Sequence, residues 1–285
     1  WMVVEADESD GTFIKLPATI AVVTNMDAEH LDFYGSFDDL RQAFETFVRN
    51  IPFYGFAVLC IDHPEIQSLI SRVSSRRVIT YGLSPHADMR AISIESDPEG
   101  MSFHVVFTDR TTETETTWKD MRLPMVGEHN VQNALAALAV GQAMSLEPDI
   151  MRKGLAAFGG VKRRFTRTGV ADGVTVIDDY AHHPVEIAAV LKAARAACGK
   201  GRLIAIVQPH RYSRLKNLFE EFCTCFNDAN AVIVADVYSA GENPLEGADR
   251  DALIEGLRSN DHKEVLALDD PSRLASLVAE ITRPC

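Results

Sequence analysis

The chain has 285 residues, 46% of them hydrophobic, which is enough for two globular domains and argues against a disordered protein. Its formal net charge of -13 argues against a nucleic-acid-binding surface, because the phosphate backbone would be repelled. The sequence contains neither an apolar run of about 18 residues nor a signal-peptide pattern, so no membrane segment is expected. The five cysteines include no CxxC pair, which disfavours a disulfide framework and is typical of the reducing cytoplasm.

The first half of the sequence alternates strand and helix patterns. Residues 1–4 resemble the middle of a strand, and residues 19–25 are β-branched and almost continuously apolar, as in a strand buried on both faces of a parallel sheet. Ser36 is the predicted cap of a helix whose apolar residues recur every 3.6 positions. Residues 91–123 change to polar and apolar alternation, which predicts antiparallel hairpins beside the main sheet. The other elements predicted in this half are strands at 57–61 and 77–81 and helices at 65–73 and 130–144.

The second half begins near Gly159-Gly160, where two glycines and the basic run 162–164 interrupt the apolar rhythm. Beyond this point strand and helix patterns alternate regularly, which predicts a doubly wound parallel sheet. We therefore predict two α/β domains, residues 1–161 and 162–285, and expect each to be truncated at its outer end. The predicted strands are 174–177, 203–207, 231–235 and 265–268, and the predicted helices are 185–197, 213–226, 249–258 and 272–281.

Polar and charged residues collect directly after three strands of this second domain. Because ligands bind beyond the carboxyl ends of parallel strands, these segments form a candidate site. Each also has a purely structural interpretation, with Asp179 as a helix cap and His210 or Arg211 as solvated side chains. Their occurrence together at one sheet edge favours a small ligand that carries both charges, such as an amino acid. The segments are 178–184, 208–214 and 236–242.

Acidic residues also follow the first strand pattern, at Glu5, Asp7, Glu8 and Asp10. This arrangement resembles the acidic strand end that holds magnesium in nucleotide-hydrolysing enzymes, since Mg2+ prefers hard oxygen ligands. His30 follows the next strand pattern, so Glu5 and His30 could approach each other from adjacent strand ends. The alternatives are a solvated acidic turn and a histidine that is satisfied within its own loop.

Seven segments between residues 5 and 242 together resemble the Mur ligase family, in the order in which the family carries them. No single segment is decisive, but their ordered combination is specific. Within the family, the resemblance is greatest to the members that join L-alanine to UDP-N-acetylmuramate. The segments are Glu5-Ala6-Asp7-Glu8-Ser9-Asp10-Gly11, Val23-Thr24-Asn25 with Glu29-His30-Leu31-Asp32, Gly127-Glu128-His129-Asn130 with Asn133-Ala134, Arg163-Arg164-Phe165, Asp178–Pro184, Gln208–Tyr212 and Asp236–Glu242.

The resemblance implies an ATP-dependent ligase of peptidoglycan precursor synthesis. The carboxylate of UDP-N-acetylmuramate would take the γ-phosphoryl group of ATP, and the amine of L-alanine would attack the resulting acyl phosphate. The resemblance also implies a central ATP-binding domain with a mostly parallel sheet and antiparallel hairpins, followed by a Rossmann-like amino-acid-binding domain. Mg2+ as a cofactor, small-molecule partners only, a cytoplasmic location and a monomer or homodimer are expected with it.

The resemblance assigns roles to individual residues by their position in the matching segments. The implied metal ligands are Glu5 and His30. The implied nucleotide contacts are His129, Asn130, Asn133, Arg164 and Asp179. The implied substrate-binding residues are Tyr180, His182, His210, Arg211, Arg214 and Asp236. Arg164, His182 and Arg211 are in addition the implied catalytic residues.

Two features depart from the family pattern. The phosphate loop of the type Gly-x-x-Gly-Lys-Thr is absent, so this chain is expected to be inactive when alone. There is also no lysine between Lys15 and Lys119 to serve as the carbamylated lysine found in several relatives, and Glu45 is only a conceivable substitute.

Three alternatives stay open beside the L-alanine ligase. The segment His182-His183-Pro184 favours L-alanine as the added group, but a ligase that adds a whole tripeptide shares much of the pattern. A non-catalytic nucleotide- or amino-acid-binding fragment would explain the missing phosphate loop. A metal hydrolase would need adjacent histidines to face one ion, which the helix-starting proline disfavours. Its ligands would be Asp178, Asp179, His182 and His183.

Overall fold

A computed structural model describes residues 1–28, 31–97 and 99–282. The chain divides into two compact units. The first consists of Trp1–Glu95, Glu99–Pro124 and Glu128–Phe158, and the second contains most of the described chain from Gly159 onward. Within the described ranges, no helix is long and apolar enough to cross a bilayer.

The first unit is built on a mixed sheet in which, among the described residues, six strands lie in the order of the chain. The strands are β1 (Ile20–Val23), β2 (Phe56–Cys60), β3 (Val78–Gly82), β4 (Met89–Asp97), β5 (Gly100–Asp109) and β6 (Thr114–Leu123). Neighbours from β1 to β4 pair in parallel, whereas β5 and β6 are antiparallel. The helices are α1 (Leu31–Tyr34), α2 (Phe37–Arg49), α3 (Pro64–Arg72), α4 (Glu128–Ala143) and α5 (Pro148–Ala156). The antiparallel pair β5 and β6, predicted as a hairpin beside the main sheet, continues that sheet beyond β4.

Local sequence accounts for α2. The Ser36 side chain accepts a hydrogen bond from the Asp39 backbone N–H, and the acidic first turn complements the helix dipole. Leu40, Phe47 and Val48 are buried, as the 3.6-residue spacing predicts. Phe47 packs against Phe13 with ring centroids 5.2 Å apart, which fastens the helix to the preceding segment.

Two predictions at the start of the chain are wrong. Residues 1–4 form no strand, and Val3 is 96% exposed, because no described strand pairs with this segment and an unpaired strand lacks ladder hydrogen bonds. β1 is not buried on both faces, since it lies at the edge of the sheet and its Val22 side chain is 41% exposed. Full two-faced burial occurs in β2, where all five residues are buried.

In the second unit, three described strands form a parallel sheet in the order β11-β10-β9. The strands are β7 (Thr166–Ala171), β8 (Val174–Asp178), β9 (Ile204–Val207), β10 (Ala231–Ala235) and β11 (Val265–Leu268). The helices are α6 (Pro184–Cys198), α7 (Tyr212–Asn217), α8 (Phe219–Thr224), α9 (Arg250–Ser259) and α10 (Leu274–Ile281). The helix predicted over 213–226 is divided at Leu218, whose backbone leaves the helical region at φ -119°, ψ 29°.

β8 was predicted in the parallel sheet, but it pairs antiparallel with β7. Asp172 and Gly173 join the two strands, and both have φ in the left-handed region, at 48° and 80°. An Asp-Gly pair between two strand patterns favours the two-residue turn that reverses a hairpin. This dipeptide was therefore the signal that could have predicted the pairing.

Candidate functional site

The acidic segment of the first unit forms local turns. Asp7 accepts a hydrogen bond from the Ser9 backbone N–H at 2.8 Å, and Asp10 accepts from the backbone and hydroxyl of Thr12 at 3.0 and 2.7 Å. These bonds from Thr12 lower the pKa of Asp10. Glu5 is exposed and precedes the turns. The other predicted metal ligand, His30, lies outside the described residues.

A cavity of about 150 Å³ lies in the first unit at the carboxyl end of β1. Three hydrogen-bonded polar residues line part of this cavity. The Thr24 hydroxyl donates to the Asn25 side chain at 2.9 Å, and the Asn25 side chain donates to the Asp27 carboxylate at 2.7 Å. Asp27 in turn lies 3.5 Å from Nε2 of His63. The lining residues are Ala6, Glu8, Phe13, Val22, Val23, Thr24, Asn25, Met26, Asp27, Leu40, Phe44 and Phe47.

Two acidic residues, Glu8 and Asp27, line this cavity. Carboxylate oxygens are ligands that Mg2+ prefers, but those of Asp27 already contact Asn25 and His63. Over the part of the chain that the structure describes, however, no group of three or more histidine, cysteine, aspartate or glutamate side chains is arranged to hold an ion. The pair Glu5 and His30 therefore stays a prediction.

Helix α4 carries three of the predicted nucleotide contacts near its beginning. His129 and Asn130 are half-buried in the first turn, and Asn133 is exposed. Asn130 and Asn133 are three residues apart, so they share one side of the helix. The shared contact with one ligand that the resemblance implies for these two amides stays a prediction.

Asp62, which sequence reasoning missed, ties this helix to the ends of β2 and β3. Its carboxylate accepts hydrogen bonds from Gln132 Nε2 at 2.6 Å and from the backbone N–H groups of Leu83 and Ser84 at 2.6 and 2.9 Å. A Cβ atom on Gly82 would lie 2.5 Å from this carboxylate, so glycine permits the close approach. Nothing in the spacing of these residues indicates the contact.

In the second unit, the loop after β8 is held by Asp179. The two carboxylate oxygens accept from the backbone N–H groups of Phe165 and Ala181, both at 2.7 Å. Asp179 does not cap α6, because His183 is the N-cap residue and its side chain accepts from the Val185 backbone. Asp179, a predicted nucleotide contact, therefore connects the segment that follows the basic run 162–164 to the loop that carries His182.

Glu186 joins two site residues that were predicted from separate motifs. It accepts hydrogen bonds from the His182 and His183 backbone N–H groups at 3.0 and 3.3 Å, and it lies 3.5 Å from the Arg164 guanidinium. Burial opposes ionisation of Glu186, but the bonds from His182 and His183 and the charge of Arg164 outweigh it and lower the pKa. Glu186 is at the third helical position, so the capping-box spacing from His183 was an available signal.

Four aromatic rings form a continuous row across the strand ends of the second unit. The Tyr180 and His182 rings are 5.2 Å apart, His182 and His210 are 6.2 Å apart, and His210 stacks on Tyr238 at 5.2 Å. Arg163 covers the outer face of Tyr180 at 4.8 Å. The predicted residues Tyr180, His182 and His210 are therefore brought together, and Tyr238 joins them although no role was predicted for it.

The surroundings of His210 disfavour its protonation. Partial burial lowers the pKa of this imidazole, and the charges of Arg214, His182 and Arg211 act in the same direction. Arg214 lies nearest, with its guanidinium 3.5 Å from His210 Nδ1. A neutral imidazole beside arginines suits a site that binds an anion and must accept a proton from an ammonium group.

Asp236, a predicted substrate contact, is paired with Arg250. The Arg250 guanidinium lies 3.1 Å from Asp236 and 3.0 Å from both Asp251 and Asp269. The Asp236 side chain is nevertheless 73% exposed, so this ion pair leaves one face of the carboxylate accessible.

Two family models match the chain. A model of the Mur ligase middle domain matches residues 2–141, and a model of the Mur ligase glutamate ligase domain matches residues 163–284. The chain belongs to the Mur ligase family. The predicted α/β fold with a mostly parallel central sheet and antiparallel strands is also confirmed for this Mur ligase chain.

Curated relatives match the Mur ligase chain along its whole length. A UDP-N-acetylmuramate–L-alanine ligase of Rhodospirillum centenum is 63% identical over 284 residues, which are 100% of this chain and 58% of the relative. The enzyme of the same name from Phenylobacterium zucineum is 61% identical over 284 residues, which are 59% of that relative. The chain thus spans about three fifths of the length of these relatives.

Solved structures show the same fold at lower identity. The UDP-N-acetylmuramate-alanine ligase MurC from Thermotoga maritima superposes with a TM-score of 0.73 and 24% identity, over 95% of this chain and 56% of that one. MurF from Thermotoga maritima in complex with ADP superposes with a TM-score of 0.70 and 19% identity, over 94% of this chain and 56% of that one. At this level of identity the superpositions support the fold of the Mur ligase chain.

Proposed function

We propose that this Mur ligase chain is the nucleotide- and amino-acid-binding part of an ATP-dependent ligase that joins L-alanine to UDP-N-acetylmuramate. The observation that carries the proposal is the identity of 60% or more, along the whole chain, with relatives that bear this name. The domain boundary between 161 and 162, the cytoplasmic location and a monomeric or homodimeric state belong to the same proposal.

The geometry of the second unit supports the chemistry. Formation of an acyl phosphate brings a carboxylate and a triphosphate together, so positive side chains must offset the repulsion. Arg211 follows His210 in the loop after β9, Arg214 lies in α7, and Arg164 precedes β7. Arg164 is oriented by Glu186, and Arg214 by His210.

Proton transfer is the second requirement. L-alanine arrives as an ammonium ion and must lose a proton before its nitrogen can attack a carbonyl carbon. We assign His182 and His210 as the candidate acceptors, since their rings are adjacent and the pKa of His210 is lowered.

ATP supplies the phosphoryl group, and His129, Asn130, Asn133 and Asp179 are its further proposed contacts. Magnesium would supply charge neutralisation on the phosphates, with Glu5 and His30 as its proposed ligands.

The test is phosphate release by the complete gene product that contains this chain. Release is expected to require ATP, UDP-N-acetylmuramate and L-alanine together. Arg211→Ala is expected to lower kcat/KM by roughly 100-fold, whereas the control Arg167→Ala, at an exposed position of β7, should leave it unchanged. Release that depends on a tripeptide and not on L-alanine would identify the tripeptide ligase. Binding of ATP without turnover would identify a non-catalytic protein.

A further inference from the structure

Arg211 has a backbone conformation that a residue with a side chain rarely adopts. Its φ is 71° and its ψ 134°, although arginine lacks the freedom of glycine. The residue lies between β9 and α7 and occupies the N-cap position of α7 without making a side-chain cap. Among the described residues, its guanidinium group has no hydrogen bond or ion pair. Such a conformation persists only where the surrounding structure holds it in place.

Hydrogen bonds to the loop after β10 hold Arg211 from both sides. On the first side, the Arg211 N–H donates to the Tyr238 carbonyl and the Tyr238 N–H donates to the Pro209 carbonyl, both at 2.8 Å. On the second side, Ser213 donates twice to Glu242, from its backbone N–H at 2.9 Å and from its hydroxyl at 2.6 Å. The first pair involves main chain only, so Glu242 is the side chain that fixes this loop.

A tight turn directs Glu242 towards Ser213. Ala240 and Gly241 both have φ in the left-handed region, at 49° and 89°, and the Glu242 N–H donates to the Ser239 carbonyl at 3.0 Å. Partial burial of Glu242 opposes ionisation, but the two bonds from Ser213, together with the charge of Arg211, outweigh it, and the pKa of Glu242 is lowered. The carboxylate is therefore charged at neutral pH and accepts both bonds without competing for a proton.

We propose that Glu242 is a positioning residue that holds Arg211 in its strained conformation and so aims the guanidinium at the anionic reactant. This inference rests on the proposed ligase function, because Arg211 is assigned there to transition-state stabilisation. Glu242 does not touch the reacting atoms. It acts through Ser213 on the backbone that follows Arg211.

The test measures kcat/KM for L-alanine in the complete gene product. Glu242→Ala is expected to lower it roughly 10- to 100-fold, since a displacement of about 1 Å at a catalytic group has an effect of this size. Glu242→Gln should recover most of the loss, because its amide oxygen can still accept from the Ser213 N–H. Ser213→Ala removes one of the two bonds and should cost roughly 2- to 10-fold. Glu255→Ala, an exposed carboxylate on α9, is the control and should have no effect.

A double-mutant cycle separates positioning from general stability. If Glu242 acts through Arg211, then Glu242→Ala has little further effect on kcat/KM in the Arg211→Ala background. An equal loss in both backgrounds, or an unchanged Glu242→Ala enzyme, overturns the inference. If the alanine variant does not fold, the Ser213→Ala variant is measured through the same cycle. Failure of the unmodified protein to release phosphate with L-alanine contradicts the proposed function instead.

Discussion

Replacing Asp62 with alanine is expected to destabilise the first unit by about 2–4 kcal/mol. The carboxylate accepts three hydrogen bonds, at 2.6, 2.9 and 2.6 Å, from Leu83, Ser84 and Gln132. Bonds to a charged group contribute about 1.5–3 kcal/mol each. The net value is lower than their sum, because Asp62 is only half-buried and water can reach the freed N–H groups.

The measurement is thermal unfolding of the complete gene product together with amide hydrogen exchange. A midpoint lower by roughly 5–15 °C is expected for the first unit, with faster exchange at Leu83 and Ser84. Glu95→Ala, which removes an exposed carboxylate of β4, is the matched control and should shift neither quantity. The affinity for ATP should also fall, since Asp62 orients the helix that carries Asn130 and Asn133.

A second substitution tests whether glycine is needed at position 82 because the Asp62 carboxylate lies so close to it. Gly82→Ala should destabilise the wild-type background, because the new Cβ would lie 2.5 Å from the Asp62 carboxylate. In the Asp62→Ala background the part of that cost due to the clash should vanish, while the strain from the Gly82 φ of 158° remains. An unchanged unfolding midpoint for Asp62→Ala, or an undiminished cost of Gly82→Ala beside it, would refute the assigned role of this carboxylate.

Three further predictions concern other parts of the chain. Glu186→Ala should lower kcat/KM roughly 10-fold or more, because Arg164 and His182 lose their common partner; steady-state kinetics with Glu255→Ala as control checks this. The pKa of His262 is lowered by burial, so the stability it contributes is present above about pH 6.5 and is lost as the pH falls through its folded pKa. Urea unfolding at pH 7.5 and 5.5 should therefore show a smaller fall in unfolding free energy between these pH values for His262→Gln than for the unmodified protein. Ser36→Ala should cost about 1 kcal/mol of unfolding free energy by removing the α2 cap, and an unchanged urea midpoint would contradict the capping role.

Much of the fold could be predicted because its determinants are local. The cap at Ser36, the apolar spacing of α2 and the continuous apolar run of β2 each lie within one element, so their patterns can be read without a partner. The same local patterns gave a wrong prediction of the pairing of β8, since an apolar run does not indicate which strand it pairs with. It also misjudged β1, whose burial depends on its position at the sheet edge.

The candidate site, like the fold, could be predicted only in part from local patterns. The segments after the strands could be predicted as a candidate site, and the structure brings Tyr180, His182 and His210 into one row of rings. The roles of the individual residues stay predictions. Glu5 is exposed and His30 lies outside the described residues, so the proposed metal ligands gain no support from geometry.

The sequence alone determined the two α/β patterns, the positions of most strands and helices and the polar strand ends, because these depend on residues close together in the chain. Only the tertiary structure decided which side chains hold those strand ends in place. Arg164 and Glu186 are 22 residues apart, Ser213 and Glu242 are 29 apart, and Asp62 and Gln132 are 70 apart. Hydrogen bonds and ion pairs act over a few ångströms, so such partners meet only after the intervening chain has folded.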